Sequence, residues 1–171
     1  MLVRNFYGAG GVWKTSMMAG DLSGNIKTVL EKTYVSHYFW TSGSDILVHA
    51  TTEGTKKSLY TINVDSGEYK EIKSFYFNYS QPDIHCSLLP GGKYVIGDGY
   101  PIDGYRHLIA INLQTGESRV ILKAKTVIPK CGDIRCDLHA RCVFNGKYIS
   151  FDTTHNERRE IAVFPIEKID F

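Results

Sequence analysis

Three stretches of this chain align without a gap. "HYFWTSGSDILVHATT" from His37, "HCSLLPGGKYVIGDGY" from His85 and "HARCVFNGKYISFDTT" from His139 each open on a histidine and turn on small or polar residues. Each then enters an apolar strand nine residues on, at Ile46, Tyr94 and Tyr148. The histidines recur after 48 and then 54 residues. Downstream, "YTINVDSGEYKEI" matches "IAINLQTGESRVIL": a strand, a Ser/Thr-Gly turn and a closing strand. Short alternating runs at such a period, with almost no helical stripe, specify a repeated unit of four short antiparallel strands. The expected fold is therefore all-β, a β-propeller whose blades are these units.

Composition agrees. Eleven Tyr, 8 Phe and 16 Gly against 5 Pro favour strands and tight turns. A chain of 171 residues can bury one ordinary core. The net charge of +2, with signs mixed, gives no electrostatic footprint for nucleic acid or an acidic membrane, so neither is expected as a partner. No apolar run approaches the roughly 20 residues that span a bilayer. Four cysteines, Cys86, Cys131, Cys136 and Cys142, are too few and too clustered for a disulfide scaffold, and unpaired thiols slightly favour a cytoplasmic setting.

The repeat divides the chain into the second half of a blade (1–33), two full blades (34–80 and 81–130) and an incomplete last blade (131–171). In the first, Met17 to Asp21 is expected as a strand, Ser23-Gly24 as a turn and Ile26 to Leu30 as the closing strand. That is a partial propeller of about three to three and a half blades, whereas closed rings have about four to eight. The expectation is that the missing blades come from the rest of a longer chain or from self-association, since raw sheet edges are otherwise left open.

"GAGGVWKTS" (8–16) imitates a phosphate-binding loop but falls in a strand by this frame. Such a loop must open a helix whose first amides face the phosphate, and Gly20, Gly24 and Asn25 would break one. Trp13 also replaces the glycine that should precede the lysine.

His37, His85 and His139 sit at or just before the first strand of three units, the strand that lines a propeller's channel. Convergent imidazoles suit a divalent transition metal; a duplicated structural histidine gives the same spacing. "IRCDLHARC" places Arg135, Asp137, His139 and Arg141 at alternating positions, hence on one face of a strand, with Cys136, Leu138 and Ala140 on the buried face. Two cations, a carboxylate and an imidazole would suit an anionic substrate beside a metal; a solvated face is the plainer alternative. Asp98 and Asp152 are equivalent in the alignment and read as turn-capping residues. A rival zinc set, Cys131, Cys136, His139 and Cys142, has unusual spacing and puts Cys136 and His139 on opposite faces of a strand.

"VSHYFW" (35–40), "DIHCSLLPGGKYVIGDGYP" (83–101) and "RCDLHARCVFNGKYISFDTTHNERREIAVF" (135–164) resemble the oligogalacturonate lyase family over about the last 140 residues. The resemblance implies a seven-bladed propeller that performs β-elimination on uronate-containing oligosaccharides. A base takes the proton alpha to the carboxylate, and a divalent ion, typically manganese, stabilises the developing enolate. Carried over by motif, His37 would be the base, His85 and His139 metal ligands, and Arg135, Arg141 and Arg159 grips for an acidic oligosaccharide. The family's last ligand motif is a His-x-His with a glutamine just upstream. Here the triplet is Asp137-Leu138-His139, with Ile134 or a neighbour in the glutamine's place, and "HPRW" has become "HARC". Asp137 can ligate through oxygen, which manganese accepts. The alternative is a non-catalytic propeller module that binds glycan or protein.

Overall fold

The computed structural model describes residues 2–9, 12–51, 57–73, 83–126 and 135–169. Side chains are described from residue 14 onward within these segments, residues 32 and 33 apart. The expected blade boundaries near 80 and 130 fall outside them. The described residues form fourteen strands in four antiparallel sheets, with a single 3-10 turn at Ile166–Lys168. The chain divides into two compact units, Met1–Ile72 and Lys73–Phe171.

The first unit holds β1 (Leu2–Ala9), β2 (Val12–Gly20) and β3 (Ile26–Thr33) in one sheet, and β4 (Val35–Trp40), β5 (Asp45–Ala50), β6 (Ser58–Asn63) and β7 (Tyr69–Ile72) in another. Lys14 thus lies in strand β2, and the phosphate-loop imitation is a strand. The alternation of β2 turns Met17 and Ala19 toward Val35, Ile46, Val48, Tyr60 and Ile62, which forms one core between the two sheets. The buried Thr15 hydroxyl accepts the Val35 amide at 2.5 Å, which ties β2 to the start of β4.

The second unit holds β8 (Cys86–Leu88), β9 (Tyr94–Asp98), β10 (Tyr105–Asn112) and β11 (Ser118–Lys125), then β12 (Arg141–Val143), β13 (Tyr148–Thr153) and β14 (Glu160–Pro165). Ile96 and Leu108 from the first of these sheets meet Ile149 and Phe151 from the other, with Leu138 and Ala140 sealing the seam. In every sheet strands adjacent in sequence are neighbours in space, a simple meander. Strands β5, β9 and β13 begin at Asp45, Tyr94 and Tyr148, at or one residue from the starts set by the repeat.

The repeated turn has a physical basis. Asn63 Oδ1 accepts the amides of Asp65 and Ser66, and Asn112 Oδ1 accepts those of Gln114 and Thr115. Each asparagine therefore pre-forms the reversal after its strand. Each also accepts, at its carbonyl, the amide of a glycine with positive φ, Gly67 at +77° and Gly116 at +76°. That is why "IN" is followed by "SG" and "TG" in the two units.

Candidate metal and anion site

The site lies in the second unit and begins with strand register. Cys86 pairs with Gly97, so the next pair outward is His85 with Asp98, whose amide donates to the His85 carbonyl at 3.3 Å. Gly97 lacks a Cβ here because one would sit 3.1 Å from that carbonyl and 3.3 Å from Ile84. The close approach places the Asp98 carboxylate, 1% exposed, beneath both residue 85 and the incoming chain at residue 139. Asp98 Oδ1 accepts the His85 amide at 3.1 Å and lies 2.8 Å from His85 Nδ1. Asp98 Oδ2 accepts the His139 amide at 3.0 Å. The two imidazole rings stand 4.0 Å apart between centroids, inclined by 50°.

Asp137 completes the group: ligand-capable atoms of His85, Asp137 and His139 all lie within 4.8 Å of one another. Asp137 is buried at 7% exposure and flanked by two guanidiniums. Arg106 Nη2, from β10, is 2.5 Å from Asp137 Oδ1, and Arg135 Nη2 is 2.6 Å from Oδ2. Each Asp137 oxygen thus faces a guanidinium, Arg106 from the buried side and Arg135 from the exposed side. Arg106 is itself buried and donates through Nη1 to the Gly99 carbonyl at 2.8 Å. Arg135 is half exposed and stands 5.7 Å from the Tyr100 ring centre.

The electrostatics follow from this burial. Loss of water pushes the His85 pKa down more than any other single influence, yet the Asp98 hydrogen bond and the charges of Asp98, Asp137 and Asp83 together raise it above the ordinary value. For Asp98 burial is again the largest influence, here upward. The His85 contacts and the amides of His139 and His85 outweigh it and hold the carboxyl below its ordinary value. Burial pushes the Cys86 thiol up, aided by the Asp98 charge, so that sulfur stays protonated.

The structure brings His85, Asp137, His139 and Arg135 together, though by a different local route from the one expected. Residues 135–140 are not a regular strand; β12 starts at Arg141. Cys136, Leu138 and Ala140 are buried and Arg135, His139 and Arg141 exposed, as expected; Asp137 alone departs, buried at 7% exposure instead of joining the exposed face. Asp137 is drawn inward by its ion pairs with buried Arg106 and with Arg135, while His139 takes a φ of +42° just ahead of β12. A one-residue slip is visible in the ladder: Asp152 donates to the Leu138 carbonyl, while its repeat-equivalent Asp98 donates to His85.

Arg141 is exposed, donates to the His139 carbonyl at 3.2 Å and reaches Asp152 at 3.4 Å. Arg159 is exposed and donates to the Arg135 carbonyl at 2.9 Å. Both therefore support the backbone on either side of Asp137. His37 lies half-buried on β4 of the first unit. The turn-capping role expected of Asp98 is replaced by its bonds to both histidines, and Arg106 carried no signal in the repeat. In the rival zinc set, Cys131 lies outside the described residues. Cys136 is buried and Cys142 half-buried, and neither belongs to the metal-capable group.

No protein-family profile matches the sequence, and no curated protein matches it. Solved structures do. TolB from Acinetobacter baumannii superposes with a TM-score of 0.68 at 17% identity, covering 90% of this chain and 36% of that one. That likeness decides the architecture. The sheets are propeller blades. An oligogalacturonate lyase from Vibrio parahaemolyticus gives a TM-score of 0.62 at 17% identity, covering 91% of this chain and 46% of the lyase. A chain of a nidogen/laminin complex gives 0.60 at 11% identity, covering 99% and 60%. The chain thus spans between about a third and three fifths of these propeller proteins, and at such identities each likeness is one of fold.

Proposed function

We propose that this protein is a metal-dependent lyase-type enzyme acting by β-elimination on uronate-containing oligosaccharides, with His85, Asp137 and His139 as ligands for a divalent ion such as manganese. The observation that carries the proposal is the convergence of those three side chains within 4.8 Å, from the segments that lead into β8 and β12. Two imidazoles and one carboxylate are a donor set that first-row divalent ions accept. A carboxylate has about four lone-pair sites, so Asp137 can face an ion while Arg106 and Arg135 each hold one of its oxygens.

When bound, a divalent ion would supply electrostatic stabilisation of the charge that develops on a substrate carboxylate as its alpha proton leaves. The chain's own residues would do the rest. Half-exposed Arg135, with Arg159 on its backbone, is suited to hold a uronate carboxylate. Tyr100, 42% exposed beside Arg135, offers a ring face to a sugar. His37 is assigned the base that takes the alpha proton, an assignment that rests on the "VSHYFW" resemblance.

A second reading, a non-catalytic glycan- or protein-binding propeller, draws support from Asp137. Its charge is already matched by two guanidiniums, so an ion must compete for it. Oligogalacturonates incubated with manganese-loaded protein separate the two. Unsaturated product that is lost in His37→Ala supports the lyase. Binding without turnover supports the module.

A further inference from the structure

We infer that Asp98 is the positioning residue of this site: one buried carboxylate selects which nitrogen of His85 faces the metal position and holds the chain turn that presents His139. This deepens the proposed function and rests on its metal reading for the affinity arm alone.

An ionised carboxylate only accepts hydrogen bonds. At 2.8 Å from Asp98 Oδ1, His85 Nδ1 must therefore carry the hydrogen. In the neutral ring Nε2 is then left with the lone pair, and the ligating nitrogen is fixed before any ion arrives. The other oxygen does a different task. His139 adopts φ +42°, a region that costs a non-glycine residue free energy, and its amide is satisfied by Asp98 Oδ2 from 41 residues away in sequence. Two ligands, each just ahead of the first strand of its own sheet, are thus set by one side chain, which is 1% exposed and held by three hydrogen bonds. The repeat-equivalent Asp152 makes no such arrangement; its carboxylate takes exposed Arg141. The device belongs to this site and not to blade architecture in general.

Substitution by asparagine divides the two tasks, because a side-chain amide has one accepting oxygen where the carboxylate has two. Residue 85 presents two donors to it and residue 139 presents one, so the oxygen stays with His85 and the amide nitrogen turns to His139. Asp98→Asn should therefore keep the His85 tautomer and release the His139 amide. Asp98→Ala should lose both.

The test uses the full chain, labelled with 15N and free of metal, at alkaline pH where His85 is neutral. In wild type, the ring nitrogens should report Nδ1 protonated and Nε2 unprotonated, and the His139 amide should exchange slowly. Asp98→Asn should retain the ring pattern while His139 exchange rises at least about tenfold. Asp98→Ala should scramble the tautomer, and its manganese affinity should fall about 10- to 100-fold. An Nε2-protonated ring in wild type overturns the inference, and that measurement needs no variant to fold. So does an unchanged His139 exchange rate in Asp98→Asn, or manganese affinity unchanged in a folded Asp98→Ala. Wild type that binds no manganese while showing the expected ring and amide pattern overturns the metal reading and leaves the role of Asp98 in positioning the two histidines supported.

Discussion

Replacing Arg106 by methionine removes a buried cation while keeping most of its volume. Arg106 is 4% exposed and Asp137 7%, and their charged atoms are 2.5 Å apart. Deleting one partner of a buried pair costs about 3–5 kcal/mol, chiefly because the remaining charge is stranded away from water. Two features of this pair adjust that figure. Arg135 stays 2.6 Å from the other Asp137 oxygen and offsets part of the loss, though its side chain is 45% exposed and its charge partly screened. The Gly99 carbonyl meanwhile loses a charge-assisted hydrogen bond of 2.8 Å, a loss of about 1.5–3 kcal/mol. The net expectation for Arg106→Met is a destabilisation of about 3 kcal/mol. Arg135→Met, which removes the half-exposed partner, should cost only about 0–1 kcal/mol. Urea unfolding followed by circular dichroism measures both. Adding Asp137→Leu to Arg106→Met should recover much of the loss, since the stranded charge goes with it. A cost below about 1 kcal/mol for Arg106→Met, or no recovery in the double variant, would refute the buried-pair reasoning.

Gly67 and Gly116 share a turn conformation but differ in surroundings, which makes them a matched test. A Cβ at Gly67 meets nothing within 4 Å, whereas one at Gly116 would lie 1.8 Å from the Lys73 carbonyl oxygen. Gly67→Ala should cost about 1–2 kcal/mol for the left-handed backbone alone, and Gly116→Ala clearly more by thermal unfolding; equal costs would contradict the packing at Lys73. Burial, then the Lys123 charge, depress the His107 pKa from its ordinary 6.5 against the pull of Asp103. The unfolded ring therefore takes its proton first. Stability from this residue is present above about 6.5 and declines as pH falls toward the folded value. An NMR titration placing the His107 midpoint above 6.5 would reverse that sign.

How much of this was legible in the chain differs between fold and site. The blades were readable because strand alternation and the Asn-to-Gly turn are local: Asn63 and Asn112 act on amides two and three residues away. His85 and His139 stood out for the same reason, as repeated residues at one place in a unit. Asp98 did not, because its role depends on the register that sets it opposite His85 and on a neighbouring sheet that brings in the His139 amide. Within "GDG" it looks like any loop aspartate. Arg106, at the start of a strand, reads as a solvated end, and only the packing of Asp137 against β10 makes it a buried counter-charge. The expected alternation through "RCDLHAR" holds except at Asp137, whose burial depends on Arg106 packed against it from β10 and so leaves no local signal. The one available hint was Gly97, a glycine inside an apolar strand, which marks a close backbone approach.

The most direct measurement is manganese stoichiometry after dialysis, by elemental analysis of wild type beside His85→Ala and His139→Ala, with folding of each checked by circular dichroism. The account predicts near one ion per chain in wild type and loss of most of it in either folded variant. Wild type without bound ion, or variants that keep it, would contradict a metal site built from His85, Asp137 and His139.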